Sequence, residues 1–179
     1  TIANYTTANN NISNVGASNF FINDIDNETW PSGTGGLVGM SQGTITITNS
    51  FFTGNILSTN NSVLAVGGLI GEANGGVTTI RNSYAQADIT GAATGSIIML
   101  GGLIGGVDAG TNYVVNNSYY KGGFDSTGTL QYNGGLVGRS NNTGASTFTN
   151  SFSYVTATTA SNKGGFVGTV LTGSVTQSN

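Results

Sequence analysis

Few side chains in this sequence can do chemistry, and most of them are acids. The densest run is Asp24-Ile25-Asp26-Asn27-Glu28, which places carboxylates at alternate positions. Oxygen ligands in that spacing suit a hard cation, so Asp24, Asp26 and Glu28 form a candidate calcium set. No glycine holds the turn position of an EF-hand loop there, and a solvated turn is the plainer reading. Glu72, Asp88, Asp108 and Asp125 fall in different repeat columns, whereas glycoside hydrolysis needs two carboxyls held about 5–9.5 Å apart. The chain has no cysteine and no histidine, which removes Cys–His and Ser–His–Asp nucleophiles, thiolate clusters and imidazole-held zinc. Four Lys and Arg stand against seven Asp and Glu, too few cations to neutralise a run of phosphates, so nucleic acid is not an expected partner. No catalytic residue is assigned, and no cofactor beyond the calcium just weighed.

Two further residue types invite a site. Asn-x-Ser/Thr sequons at Asn4, Asn11, Asn27, Asn60, Asn116 and Asn141 would mark exposed loops if glycosylated, though a chain so rich in these residues produces several by chance. Glycine pairs could cradle a phosphate, but no Lys-Ser/Thr follows them and no helix pattern opens after them. A structural role fits better, through positive φ and close backbone approach.

The elements that must position these residues follow from composition and repetition. Of 179 residues, 30 are Gly, 26 Thr, 23 Asn and 18 Ser, and only 6% are charged, against about 25% in an ordinary domain. Disorder is not indicated, because net charge is only −3 and 37% of residues are hydrophobic, with strand formers enriched. The longest apolar run, Ile97-Ile98-Met99-Leu100, is far short of the ~20 residues of a membrane span. The pentapeptide Gly-Gly-[Leu/Phe]-[Val/Ile]-Gly starts at Gly35, Gly67, Gly101, Gly134 and Gly164, at steps of 32, 34, 33 and 30. Its second glycines are Gly36, Gly68, Gly102, Gly135 and Gly165. A second motif, Asn-Ser-[Phe/Tyr], follows in phase at Asn49, Asn82, Asn117 and Asn150.

Residues 1–34 lack the pentapeptide, but Asn19-Phe20-Phe21 lies in a comparable phase, so this stretch reads as a degenerate first half-turn or cap. Apolar residues two before the Asn (Ile47, Ile80, Val115, Phe148) and aromatics two after it (Phe51, Tyr84, Tyr119, Phe152) suggest strands whose even offsets share one buried face. A period near 33 residues with like residues recurring predicts an all-β parallel solenoid of about five to six turns. The Asn column reads as a turn ladder, since Asn tolerates the left-handed conformation and stacked amides can bond along the axis.

These residues resemble the GLUG repeat, most closely at Gly67-Gly68-Leu69-Ile70-Gly71 with Asn82-Ser83-Tyr84-Ala85. The resemblance covers residues 35–179 and departs from the pattern at Phe166 and in longer spacers such as 58–65. It implies a non-catalytic, repeat-built segment of an extracellular cell-surface adhesin or filament protein of bacteria or archaea; the open sheet edges at the ends of a solenoid suggest flanking repeats or copies of itself, end to end, as partners. The different-class alternative is a module that binds a surface glycan or host protein, with Tyr113, Tyr119 and Tyr120 as its aromatics. Threonine rows such as Thr46/Thr48 and Thr147/Thr149 raise a weaker ice-binding reading, weakened by interruptions elsewhere. The column Val38, Ile70, Ile104, Val137 and Val167 adjoins a column of Leu and Phe. In a straight strand one of the two points outward as an interaction stripe; a corner would bury both.

Overall fold

The structure, a computed structural model, describes residues 3–6, 9–25, 32–60, 63–93, 97–156 and 161–178. Among the described residues every regular element is a β-strand, and no helix is long and apolar enough to cross a membrane. The strands pair in parallel and wind as a β-solenoid of about five turns. In the second turn the four strands are Val38–Gln42, Ile45–Thr48, Phe51–Asn60 and Leu64–Gly67. Each lies beside its equivalent one period on, so that Ile47 pairs with Ile80, Ile56 with Ile89 and Val66 with Leu100. First and second strands share a ten-stranded sheet, because Val137–Thr149 and Val167–Ser178 run through both positions. Third strands form a six-stranded sheet and fourth strands a five-stranded one. Ahead of Gly36, the strands Ala3–Thr6, Asn10–Ser13, Gly16–Ile25 and Ser32–Gly35 give one member to each ladder.

The register follows the glycine spacing. Val38 lies beside Ile70, then Ile104, Val137 and Val167. The chain bends at Gly36 and Leu37, so adjacent side chains no longer diverge. Val38, Ile70, Ile104 and Val137 are buried, and so are Leu37, Leu69, Leu103 and Leu136. Val167 is half-buried in the last turn. An outward stripe along this column is therefore corrected to a buried corner, which removes it as an interaction face.

The glycine pairs serve close approach alone. None of the ten paired glycines has a positive φ, contrary to the sequence expectation. A methyl group on Gly36, Gly68, Gly102 or Gly135 would instead run into the carbonyl oxygen of the second glycine one turn on.

Apolar residues before the Asn, among them Ile47, Ile80, Val115 and Phe148, point inward and are buried. Beyond it the inward residues stand at odd offsets, as in Phe52 and Tyr120, and again in Ile56, Ile89 and Phe124. Ala157, seven residues after Asn150 and so the next position of that column, lies outside the described residues. The aromatics two after the Asn face outward, against the even-offset expectation. The physical reason is the left-handed residue between the strands, which interrupts the two-residue alternation.

Candidate functional site

The most ordered constellation is the corner that each Asn-Ser-aromatic triplet makes. Asn49, Asn82, Asn117 and Asn150 have φ between 46° and 50°, a left-handed geometry that most L-residues avoid. Each amide donates to the one a turn before it: Asn82 Nδ2 to Asn49 Oδ1 at 3.2 Å, Asn117 to Asn82 at 3.2 Å, and Asn150 to Asn117 at 3.3 Å. The ladder begins at Asn14, with φ 57°, which accepts from Asn49 at 3.3 Å. Asn14, and not Asn19, is thus the first-turn member. Asn19 also has a positive φ, 60°, but it sits at a bulge between Ala17 and Phe20. The spacing could have found Asn14: it precedes Asn49 by 35 residues, the same step as Asn82 to Asn117.

The serine after each Asn had no role assigned from sequence, yet it is the most fully used side chain of the corner. Ser83 Oγ donates to the Arg81 carbonyl at 2.7 Å and accepts from the Ser50 backbone N–H at 3.1 Å. Ser118 repeats this, donating to Asn116 at 2.7 Å and accepting from Ser83 at 3.2 Å. Both are buried, so each hydroxyl satisfies two backbone groups that would otherwise be orphaned. Outside the Asn ladder the aromatics stack face to face. Phe51–Tyr84, Tyr84–Tyr119 and Tyr119–Phe152 have centroids 5.1, 4.9 and 4.9 Å apart with planes within 4° of parallel.

A second constellation was not legible at all. Glu72, 2% exposed, meets the Asp108 carboxyl by a side-chain hydrogen bond, and Arg139 Nη2 donates to Asp108 Oδ1 at 3.1 Å. Burial first, and then the Asp108 hydrogen bond and charge, push the Glu72 carboxyl up to about 8, with Arg139 opposing. Glu72 therefore holds a proton at neutral pH, and its Oε2 has no partner among the described residues. The two acids belong to different columns, but Glu72 lies opposite Gly106, and Asp108 stands only two residues beyond. Carboxyls in hydrogen-bond contact are closer than the ~5–9.5 Å that retaining or inverting glycosidases use. The pair joins a buried carboxyl, Glu72, to a half-buried one, Asp108, at the surface of the wall.

A family model described as the GLUG motif matches residues 62–90. That stretch is a GLUG repeat. No curated protein and no solved structure matches the chain. The GLUG stretch runs from the fourth strand of one turn through Ile70–Asn74 and Gly76–Arg81 into Tyr84–Ala93, so the repeat corresponds to about one turn of solenoid. The bend at its glycines and the left-handed Asn82 make two of its corners.

Around this GLUG frame the other sequence candidates separate. Asp24 Oδ2 accepts from the hydroxyls of Thr34 and Ser58, the latter at 3.4 Å. Asp26 and Glu28 lie outside the described residues, among which no group of three acids, His or Cys could hold a metal. Of the sequon residues, Asn11, Asn116 and Asn141 lie within strands, not in loops. Asn27 and the side chains of Asn4 and Asn60 lie outside the described residues. Tyr113 and Tyr120 are buried, which removes two of the three aromatics considered for ligand contact. Burial raises both phenols, Tyr113 to about 12. The threonine row Thr46, Thr79, Val114, Thr147, Thr176 is in register but broken by Val114.

The amide ladder makes a first prediction. Asn117→Ala removes two ladder bonds and forces alanine into a left-handed turn, so a loss of about 1–3 kcal/mol is expected in urea unfolding. Asn117→Gly relieves the turn and is expected to recover roughly half of it.

Proposed function

We propose that this chain is a non-catalytic structural segment of an extracellular cell-surface adhesin or filament, a rigid wall whose work is to extend and to present its outer faces. The observation that carries the reading is the direction of side-chain bonding. Amide, hydroxyl and aromatic columns each bind their own equivalents one turn away, so polar capacity goes into stacking and not into a cleft. The GLUG resemblance implies the same surroundings, and scarce charge suits a wall in which like residues lie about 4.8 Å apart and would repel if ionised.

Immunogold electron microscopy of the source cells, with antibody raised against the purified chain, tests it. Label on the cell surface or along surface fibres is expected. Label confined to the cell interior would overturn the placement.

A further inference from the structure

Beside the amide ladder the wall carries a second hydrogen-bonded row. Arg81 lies next to Asn116, and Asn116 next to Thr149, in the parallel register. With its oxygen toward Arg81, the Asn116 amide accepts from Arg81 Nη1 at 3.3 Å. Its nitrogen donates to Thr149 Oγ1 at 3.3 Å and to the Val115 carbonyl at 3.2 Å. Each member of this row immediately precedes a ladder residue, Asn82, Asn117 or Asn150, so the two rows run side by side along the axis. A trough of about 370 Å³ opens along them, lined by these six residues. Thr48 precedes Arg81 in its row and Ser178 follows Thr149, which places the trough on the side of the wall and not at an end.

Stacking uses only part of the polar capacity gathered there. Asn82, Asn117 and Asn150 each spend one amide N–H on the ladder and keep a second, and each oxygen has two lone pairs of which the ladder takes at most one. What is left over is a set of neutral donors and acceptors repeating about every 4.8 Å. One charge stands among them. Arg81 is exposed, no carboxylate lines the trough, and no ion pair engages Arg81 among the described residues. Anchored through Nη1, its guanidinium keeps the other donors of its planar fork.

We propose that this trough binds an extended acidic glycan of the uronic-acid class, with one sugar carboxylate on Arg81 and the hydroxyls of the next ring on Asn117 and Thr149. The lining selects that chemistry. A single guanidinium matches a single carboxylate, whereas a run of phosphates needs several cations. Amides and hydroxyls that both donate and accept suit sugar hydroxyls, which do the same. No apolar side chain lines the trough, so the hydrophobic anchors of a protein partner have no seat in it. The bonds along each row hold the donors in place before the ligand arrives, which lowers the ordering cost of binding. Such binding requires nothing of where the chain is displayed.

The test titrates the intact isotope-labelled chain with tetragalacturonate and follows the side-chain N–H signals by NMR. Saturable shifts at Arg81 Nε and the Asn117 amide are expected. Binding is expected to weaken roughly tenfold or more in Arg81→Gln, with far-UV circular dichroism unchanged, and by a similar factor for the fully methyl-esterified tetramer. Lys121→Gln removes an exposed cation from the third-strand face and is expected to bind as the wild type does. No saturable shift, equal binding by Arg81→Gln, an equal loss in Lys121→Gln, or equal binding of the methyl ester would overturn the proposal. So would acetate binding as tightly as tetragalacturonate, because the amides would then add nothing.

Discussion

Replacing Gly102 by valine is expected to prevent folding, while the same change at Gly165 is expected to be nearly silent. The two glycines occupy one column, so the pair isolates what the neighbouring turn contributes. A methyl on Gly102 runs into the Gly135 carbonyl oxygen on one side and the root of the Tyr120 ring on another. Neither is the free end of a flexible side chain, and the Gly135 backbone is fixed by its own hydrogen bond to the Gly164 carbonyl at 3.0 Å. The chain must part the wall to admit the side chain, a cost of about 4 kcal/mol or more, comparable with the whole stability of many domains. At Gly165 the same atoms enter open space, and a change within about 0.5 kcal/mol is expected. Circular dichroism and urea titration of both variants check this. Equal damage at the two positions would show that the glycines act through conformation and not through contact.

The second large effect is a fall in stability as pH rises. Glu72 has an ordinary value of 4.5 and is held at about 8 in the folded chain, so the folded state binds the proton more tightly than the unfolded state. Its contribution is fully present below pH 4.5 and is lost as the pH climbs to about 8. The raised value corresponds to on the order of 5 kcal/mol across that window. Above it, two carboxylates face each other beside one arginine. The melting temperature is expected to drop between pH 5 and pH 8.5 in roughly that proportion, and Glu72→Gln, which keeps the donor without the charge, is expected to flatten the slope. Calorimetry of both chains at these pH values decides it, and a wild-type melting temperature that stays level or rises would contradict the assignment.

The solenoid was legible because its period is written in glycines at close backbone contacts and in Asn at left-handed corners, where few other residues fit. Gly67 and Gly101 recur at the step that the strands pair at, and each ladder Asn sits at a left-handed corner. What the sequence concealed has a common cause, the loss of simple alternation wherever the chain turns. Tyr84 and Tyr119 were assigned to the face of Ile80 and Val115, but a left-handed residue between them sends the rings outside. Val38 and Leu37 appeared to diverge until the bend put both inside. The Glu72–Asp108 contact is diagonal, from one strand to the residue just past the end of its neighbour and two residues out of register, so column-by-column comparison passes over it. Ser83 and Ser118 were visible as letters of the motif, but their double use depends on an N–H a turn away.

In-register stacking of successive turns is the claim on which the rest depends, and a cysteine pair measures it directly because the chain has no cysteine of its own. Thr46 and Thr79 are cross-strand partners, while Thr147 lies two registers further along the same row. At about 4.8 Å per turn the first pair is within disulfide reach and Thr46 to Thr147 spans roughly 14 Å. Under mild oxidation the Thr46→Cys, Thr79→Cys chain is expected to form an intramolecular disulfide nearly completely, and the Thr46→Cys, Thr147→Cys chain to form none. Equal cross-linking of the two pairs, or failure of the first, would contradict the stacked parallel solenoid.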